Sequence, residues 1–319
     1  MASRAPAARP APAEAVAWPS VSVVVPTRDR PELLRRAVQS ILDQRYPGEV
    51  ECVVVFDQSE PAEVAVTAGE RRRVRTVRND RTPGLAGARN AGVLAASGTL
   101  VAFCDDDDDW LPDKLRLQAE ALRAHPGAPL VACGVQVVYD DRVIERLPSV
   151  APVTLAQLLR DRVMEVNPCT ILVERAAMLG AIGLVDEAIP GSYAEDYEWL
   201  LRAARVAPVL TVPAALVRIH WDRPSFFADR WRTIVAGLGY LLDKHPELAQ
   251  EPRGLARVQG QIAFAHAAAG ERRQAVRWAG RALRRNWRER RAYVALAVSL
   301  RLLGAGTVLR LAHRRGRGI

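Results

Sequence analysis

Several features are scarce or absent in this sequence of 319 residues, and each absence excludes a class of protein. The four cysteines are far apart and form no C-x-x-C pair, which argues against a disulfide framework and against a structural zinc site. Glycine and proline, with 21 residues each, are too few for a collagen-like chain or for wholesale disorder. Neither a Walker loop nor a G-x-G-x-x-G fingerprint is present. We therefore expect a globular protein of a reducing, cytoplasmic compartment.

Long hydrophobic runs are missing as well. Residues 1–17 are rich in Ala, Pro and Arg and lack the apolar region of a signal peptide, so we expect a disordered tail there. The stretch 292–312 is apolar, but Arg301 lies at its middle and Gly304 and Gly306 interrupt it. Because a charge at the centre of a span is costly, we expect this stretch to lie in a membrane interface rather than to cross a membrane.

Positive charge dominates only one part of the chain. The formal net charge is +9, but residues 1–225 sum to −4 and residues 226–319 to +13. The basic part consists of Arg-rich helical patterns, which suit an anionic membrane surface or an acidic partner. No nucleic-acid-binding module accompanies the charge, so a nucleic-acid partner is not expected. Four apolar residues at spacings of three to four are predicted to share one helix face: Tyr293, Leu296, Leu300 and Leu303.

Short β-branched runs alternate with helical patterns in the first half of the chain, which predicts a parallel sheet buried by helices on both faces. Strands are predicted at 21–26, 51–56, 73–78, 99–104, 130–139, 169–174 and 208–220, and helices at 31–44, 62–72, 85–96, 112–125, 194–206, 226–244, 254–269, 271–285 and 289–312. The pattern divides the chain into the tail 1–17, an α/β domain at 18–225 and a basic helical region at 226–319.

The strongest local signal is VAFCDDDDDWLPDKL, in which an apolar strand runs into five consecutive aspartates, Asp105 to Asp109. Residues two apart in an extended segment point the same way, so Asp105 and Asp107 are expected to converge. Two carboxylates there suit one Mg2+ or Mn2+ that keeps positions open for substrate phosphates. A solvated acidic loop is the alternative, but open α/β sheets bind their ligands at the ends of such strands.

Two further carboxylate positions lie where ligands are expected. Asp57 follows the buried strand VVVF, although an aspartate at a strand end is often only a turn former or a helix cap. Glu195 and Asp196 open the helix in GSYAEDYEWLLRAA, where acidic residues also simply favour the positive end of a helix. The residues alone leave both alternatives open.

Four segments, in their order and spacing, resemble the inverting family 2 glycosyltransferases of GT-A fold. They are VSVVVPTRDRPELLRRAVQSILDQRYP, VVVFDQS, GLAGARNAGVLAASGTLVAFCDDDDDWLPDKL and GSYAEDYEWLLRAA, and they lie within residues 20–225. The resemblance implies an α/β fold of the GT-A type, a mostly parallel sheet flanked by helices, with the C-terminal helices as an appendage outside the shared domain. It also implies that a sugar passes from a nucleotide-diphosphate sugar to an acceptor hydroxyl with inversion.

The resemblance further implies roles for individual residues. Asp57 would hold the nucleotide, with a UDP-sugar favoured, and Asp105 and Asp107 would bind Mn2+ or Mg2+. Asp196, or else its neighbour Glu195, would be the catalytic base. The remaining donor-binding set implied by the resemblance comprises Pro26, Thr27, Arg28, Arg89, Asp106 and His220, the last in RIH with Arg218.

Some points stay open. Asp29 stands where the family commonly has Asn, so it receives no ligand role, and Asp106 or Asp108 could replace Asp107 at the metal. The expected acceptor is a saccharide or a lipid-linked sugar of polysaccharide, glycolipid or glycoconjugate biosynthesis, and the basic helices would hold the protein on the inner face of the cell membrane. The alternative function is a non-catalytic, membrane-associated adaptor that retains a nucleotide-sugar-binding fold.

Overall fold

The computed structural model describes residues 17–140, 142–221, 227 and 229–314, arranged as strands and helices that alternate in the first half and as helices alone at the end. The strands are β1 (Val21–Thr27), β2 (Val50–Phe56), β3 (Arg72–Arg78), β4 (Leu100–Phe103), β5 (Asp109–Trp110), β6 (Leu130–Tyr139), β7 (Arg142–Arg146), β8 (Leu172–Glu174) and β9 (Leu210–His220). The helices are α1 (Pro31–Leu42), α2 (Leu85–Ala95), α3 (Lys114–Ala124), α4 (Leu155–Arg160), α5 (Arg175–Leu179), α6 (Glu195–Val206), α7 (Trp231–Lys244), α8 (Pro252–Ala268), α9 (Arg272–Arg285), α10 (Arg290–Ser299) and α11 (Ala305–Arg314).

A nine-stranded sheet in the order β3-β2-β1-β4-β8-β6-β9-β5 forms the centre, with β7 paired to β6. The half β3-β2-β1-β4 is parallel, as predicted. The other half is mixed, because β8 runs antiparallel to both β4 and β6 while β9 runs parallel to β6. It follows that β1, β2, β4, β6 and β9 share one direction, so their carboxyl ends lie along one edge of the sheet.

Helices cover both faces of the parallel half. Every residue of β1 and β2 is buried. Along β1, Val24 belongs to the core that includes α2 and α6, whereas Val23 and Val25 belong to the core that includes α1 and α3. Because alternate side chains enter two different cores, the strand reads as one continuous apolar run.

The prediction of a helix at 62–72 is wrong. Residues 61–69 have no regular secondary structure, and Val64 and Val66 both pack against the core on the α1 side. Thr67 exchanges two hydrogen bonds with the side chain of Gln39 on α1, at 3.1 and 3.3 Å. A spacing of two between the packed valines belongs to extended chain, and Gln39 supplies the backbone partners that a helix would otherwise provide.

The first C-terminal helices share the core of the α/β part. Ile234, Leu238 and Leu241 of α7 and Val258 and Ile262 of α8 lie in the same cluster as the buried residues of α6. Helices α8, α9 and α10 also form a second, alanine-rich core of their own. The expected boundary at 225/226 falls outside the described residues and stays a prediction, as does the tail, of which only residue 17 is described.

The prediction of a single helical stretch at 289–312 is also wrong. Helix α10 ends at Ser299 and α11 begins at Ala305, and Arg301 between them has a φ of 62°. Leu300 and Leu303 therefore lie beyond the helix that carries Tyr293 and Leu296, and the four do not form one helical stripe. Among the described helices, none has both the length and the apolar character needed to cross a membrane.

The contact between α8 and α4 leaves no room for a side chain. A Cβ atom on Gly254 would lie 1.8 Å from the carbonyl oxygen of Leu159 and 2.8 Å from its carbonyl carbon. Both are backbone atoms, so neither can move aside unless α4 moves. Around Gly280 on α9, by contrast, no described atom other than its chain neighbours and the adjacent backbone of its own helix lies within 4 Å of the position that a Cβ would take.

Replacing Gly254 by alanine is therefore expected to destabilise the protein. Alanine improves helix propensity by about 1 kcal/mol, but relief of the clash must move α8 away from α4, and overpacking of this kind costs about 1–3 kcal/mol. Urea unfolding should show a lower midpoint for Gly254→Ala and an equal or higher midpoint for the control Gly280→Ala, which changes propensity alone. Matching midpoints would contradict the close packing of α8 on α4.

Candidate active site

The polar residues predicted for the donor site lie along the carboxyl edge of the sheet. Thr27 ends β1, Asp57 follows β2, Asp105 to Asp109 follow β4, and His220 ends β9. The N–H of Asp57 donates to the carbonyl oxygen of Thr27 at 2.9 Å, which fixes the two strand ends together. Parallel strands thus bring residues that are distant in the chain to one edge, where open α/β sheets bind their ligands.

Asp57 is buried and organises the start of α2. Both carboxylate oxygens accept the N–H of Gly84 at 3.1 Å, and the side-chain amides of Asn79 and Gln58 donate to them at 2.8 and 2.9 Å. Gly84 has a φ of 115°, a conformation that glycine adopts without strain. Asp57 therefore has the structural role that the sequence left open, that of a turn former or helix cap.

The aspartate run begins as a turn rather than as an extended strand, and we call residues 105–109 the acidic turn. The N–H of Asp108 donates to the carbonyl oxygen of Asp105 at 3.2 Å. Ligand atoms of Asp105, Asp108 and Cys169 lie within 4.8 Å of one another. The extended geometry expected to bring Asp105 and Asp107 together is therefore wrong, because a turn brings together residues three apart. Whether Asp107 binds a metal stays a prediction.

Two arginines of the α1 region bind the acidic turn. Arg30 lies 2.9 Å from the carboxylate of Asp107 and 3.3 Å from that of Asp106. Arg36 donates to the carbonyl oxygen of Asp107 at 2.9 Å and lies 3.6 Å from the carboxylate of Asp109. Sequence reasoning missed both, because Arg30 directly before α1 and Arg36 within it belong to no motif that marks them as partners of the aspartates.

The end of β9 closes the other side of the acidic turn. Arg218 donates to Asp109 at 3.1 Å, and Nε2 of His220 lies 2.8 Å from the other oxygen of the same carboxylate. The N–H of His220 also donates to Asp108 at 3.3 Å. The two residues singled out in RIH therefore do reach the aspartate run.

Burial shifts the protonation of the inner aspartates. It raises the pKa of Asp106 to about 6, although the hydroxyl of Thr27, which donates to this carboxylate at 2.8 Å, opposes the shift. Burial and the charges of Asp105 and Asp107 raise the pKa of Asp108 well above its usual range.

Arg89 of α2 joins the acidic turn to α6. Its buried guanidinium lies 2.9 Å from Asp105 and forms an ion pair with Glu195. Burial works against the charged arginine, but Asp105, Glu195 and Asp196 outweigh it and raise the pKa of Arg89 above its usual range. Burial raises the pKa of Glu195, and Arg89 opposes that rise.

Asp196 occupies the first turn of α6. One oxygen accepts the N–H of Tyr197 at 2.7 Å, and the other forms an ion pair with Arg162. Arg162 lies in the loop after α4 and belongs to no sequence motif that could have identified it as the partner of Asp196. A small cavity, lined otherwise by apolar side chains, borders on Asp196, Glu195 and Arg89.

The first strand contributes unequally to this edge. Thr27 contacts Asp106, whereas Pro26 is a buried residue within β1 and pairs in register with Val55. Arg28 is largely exposed and lies 3.8 Å from Asp29.

The donor atoms of the acidic turn suit a hard divalent cation. Asp105 and Asp108 offer carboxylate oxygens, the ligands that Mg2+ and Mn2+ prefer. Burial raises the pKa of the Cys169 thiol well above its usual range, so the third member of the cluster is a protonated thiol and a poor ligand for such an ion. The carboxylates of the acidic turn are therefore the residues that would hold a cation.

Comparison with known proteins agrees with this geometry. Residues 22–176 match the family model described as glycosyl transferase family 2. The chain is 24% identical over 181 residues to the UDP-Glc:alpha-D-GlcNAc-diphosphoundecaprenol beta-1,3-glucosyltransferase WfgD of Escherichia coli, which covers 56% of this chain and 68% of that protein. It is 36% identical over 151 residues to the succinoglycan biosynthesis protein ExoO of Rhizobium meliloti, which covers 47% of this chain and 43% of that protein.

Solved structures share the fold at low sequence identity. Residues 1–349 of S. aureus TarS superpose with a TM-score of 0.54 at 17% identity, over 93% of this chain and 92% of that one. The mannosyltransferase PcManGT of Pyrobaculum calidifontis, solved with GDP-Man and Mn2+, gives a TM-score of 0.52 at 22% identity, over 89% and 88%. The expected GT-A fold and the resemblance are confirmed: residues 22–176 belong to glycosyltransferase family 2, and the chain is a glycosyltransferase.

Proposed function

We propose that this protein transfers a sugar from a UDP-sugar to an acceptor hydroxyl with inversion, in polysaccharide, glycolipid or glycoconjugate biosynthesis, and that it uses Mn2+ or Mg2+. The observation that carries the proposal is the placement of Asp57 and the acidic turn at one edge of the sheet, with Arg89 joining the turn to the helix that carries Asp196. The names of WfgD and ExoO, which specify a UDP-Glc donor with a lipid-diphosphate acceptor and succinoglycan biosynthesis, support the donor class and the setting.

The strand order supports a donor that lies across the end of β1. Because β1 lies between β2 and β4, its last residues, Pro26 and Thr27 with Arg28 after them, separate Asp57 from the acidic turn. We assign the nucleotide base to the Asp57 side, since a single carboxylate suits the N–H of uracil. The diphosphate then lies towards Asp105, Asp106 and His220.

Departure of the nucleotide diphosphate leaves negative charge on its phosphates. A cation held by Asp105 together with Asp107, or with Asp108, which the turn already brings close to Asp105, would neutralise that charge. Arg89 holds the carboxylate of Asp105 at 2.9 Å, so the position of this ligand is fixed by a buried partner.

Removal of the acceptor proton calls for a carboxylate base, and Asp196 suits this role better than Glu195. The Glu195 side chain is 6% exposed and is paired with the buried Arg89, whereas the Asp196 side chain is 11% exposed and is paired with the more accessible Arg162. An incoming hydroxyl can therefore approach Asp196 with less disruption of buried charge.

The metal assignment predicts the behaviour of Asp107→Ala. This variant should lose the Mn2+-dependent part of its UDP affinity in titration calorimetry while its unfolding midpoint stays close to that of the parent protein. Asp43→Ala, which removes an exposed aspartate at the end of α1, serves as the control and should bind UDP with Mn2+ as the parent does. If Asp105→Ala, Asp106→Ala and Asp107→Ala all keep full Mn2+-dependent affinity, the metal site is elsewhere.

The base assignment predicts that Asp196→Asn keeps donor affinity and loses turnover. General-base catalysis contributes about two to four orders of magnitude, so kcat should fall by about that factor. Release of UDP from UDP-sugars in the presence of Mn2+ measures kcat. The control is Glu165→Gln, a matched change of a carboxylate to an amide in the neighbouring loop. Parent protein that binds UDP-sugars but releases no UDP with any acceptor would instead favour the adaptor.

We also propose that the outer side of the C-terminal helices binds an anionic membrane surface. Trp287 between α9 and α10 is 67% exposed, and the hydroxyl of Tyr293 donates to its carbonyl oxygen at 2.8 Å. Tryptophan and tyrosine are enriched at membrane interfaces, and basic residues near an anionic surface contribute about 1 kcal/mol each. The exposed basic residues around this turn and two exposed leucines that follow the other end of α10 are together called the basic surface: Arg284, Arg285, Arg288, Arg290, Leu300 and Leu302.

Charge reversal tests the membrane proposal without loss of core packing. Truncation near Leu248 is unsuitable, because this residue is 1% exposed and lies in the main core. The triple change Arg284→Glu, Arg285→Glu and Arg288→Glu should abolish co-sedimentation with phosphatidylglycerol vesicles, and parent binding should weaken as salt rises. The control reverses three exposed arginines of the α/β part, Arg35, Arg45 and Arg78. Equal loss in both triples would mean that net charge alone governs binding, and absence of parent binding would refute the proposal.

A further inference from the structure

Arg30 contacts the side chains of the acidic turn directly. Its Nη1 donates to the carboxylate of Asp107 at 2.9 Å and to that of Asp106 at 3.3 Å. One nitrogen thus serves two carboxylates, and the Arg30 side chain is 35% exposed. A partly exposed ion pair contributes little free energy, because water screens both charges. Arg30 can therefore exchange Asp107 for another anion at small cost.

Other arginines at the acidic turn are held in ways that resist such an exchange. Arg89 is buried between two carboxylates, and its side chain is 4% exposed. Arg36 donates to the backbone carbonyl oxygen of Asp107 at 2.9 Å, a bond that does not depend on the charge of the carboxylate. Arg30 differs from both, because it combines exposure to solvent with direct contact to a carboxylate assigned to the cation.

The chain between β1 and α1 is shaped to present Arg30 at the acidic turn. Asp29 has a φ of 54°, in the left-handed region that Asn and Asp adopt more readily than other residues apart from glycine. Asn is the residue common in the family at this position, so either side chain suits this backbone. The hydroxyl of Thr27, at the end of β1, donates to Asp106 at 2.8 Å, so the strand end and Arg30 hold the same carboxylate.

We propose that Arg30 is an exchangeable counter-ion of the acidic turn: it leaves Asp107 when Mn2+ or Mg2+ binds there, and it then binds the diphosphate of the donor. The inference rests on the proposed function and deepens it, because it gives Arg30 a role in donor binding. A divalent cation at Asp107 repels the guanidinium that already neutralises this carboxylate. The diphosphate supplies the negative charge that a displaced guanidinium needs, and a planar guanidinium can donate two parallel hydrogen bonds to a phosphate.

The strand order places Arg30 where the diphosphate is expected. Arg30 follows the end of β1, which lies between β2 and β4, so it stands between the Asp57 side assigned to the base and the acidic turn. Its guanidinium lies within 3.3 Å of the carboxylates of Asp106 and Asp107, so its reach includes a phosphate bound beside them. Arg30 therefore acts with opposite sign on the two ligands: it hinders binding of the free cation and strengthens binding of the nucleotide.

Two titrations of Arg30→Gln test this difference in sign. Titration with MnCl2 alone, followed by the electron paramagnetic resonance signal of free Mn2+, should show about threefold tighter binding than in the parent, since the competing positive charge is gone. Titration with UDP at saturating Mn2+ should show about tenfold weaker binding, since a charged hydrogen-bond donor to the diphosphate is lost. Arg35→Gln is the matched control, because it removes an exposed arginine of α1 that pairs with Glu32, and it should match the parent in both titrations.

Arg30→Lys separates the charge of Arg30 from its shape. Lysine keeps the positive charge but lacks the planar fork of donors, so Mn2+ affinity should stay close to that of the parent while UDP affinity recovers in part.

Only opposed changes in Arg30→Gln support the inference. Weaker binding of both Mn2+ and UDP would give Arg30 a merely structural role, and an unchanged affinity for either ligand would remove one half of the exchange, so each of these results overturns it. Absence of Mn2+ binding from the parent and from Arg30→Gln overturns it as well. UDP binding with Mn2+ that is lost in Asp107→Ala leaves the proposed function standing even where the Arg30 result overturns the inference.

Discussion

Arg89 holds two distant parts of the protein together through charge. Its guanidinium is buried, so the fold tolerates it only because Asp105 and Glu195 pair with it from opposite sides. Asp105 follows β4 and Glu195 opens α6, so this one side chain joins the edge proposed for the donor to the helix proposed for the base. Loss of either carboxylate would leave the buried guanidinium with one carboxylate partner instead of two, which is costly to the fold.

The C-terminal helices complete this arrangement rather than merely follow it. Gly254 lets α8 lie directly on the end of α4, and three residues further along α8 Arg257 reaches Tyr197, the neighbour of Asp196. The loop that carries Arg162 emerges from the same end of α4. Because α8 packs against the end of α4 from which this loop begins, residues outside the segment that matches family 2 help to determine where the proposed base lies.

Much of the fold could be predicted from the sequence because continuous apolar strands and amphipathic helices leave a direct pattern. The acidic run could be located but not shaped, since five identical residues carry no periodicity to distinguish a turn at Asp105 to Asp108 from an extended strand. The extended course of 61–69 depends on Gln39, a partner distant in the chain. Arg162 is a similar case, because only the packing of α4 against α6 and α8 makes an ordinary loop arginine the partner of Asp196.

The distribution of charge also fits the proposed attachment to a membrane. Trp287 and Arg288 are exposed between α9 and α10, and Arg290 begins α10. Residues 226–319 together carry +13, whereas residues 1–225 sum to −4, so attraction to an anionic lipid surface would act on the C-terminal helices and not on the α/β part. A lipid-linked acceptor would lie at the same surface as the bound protein.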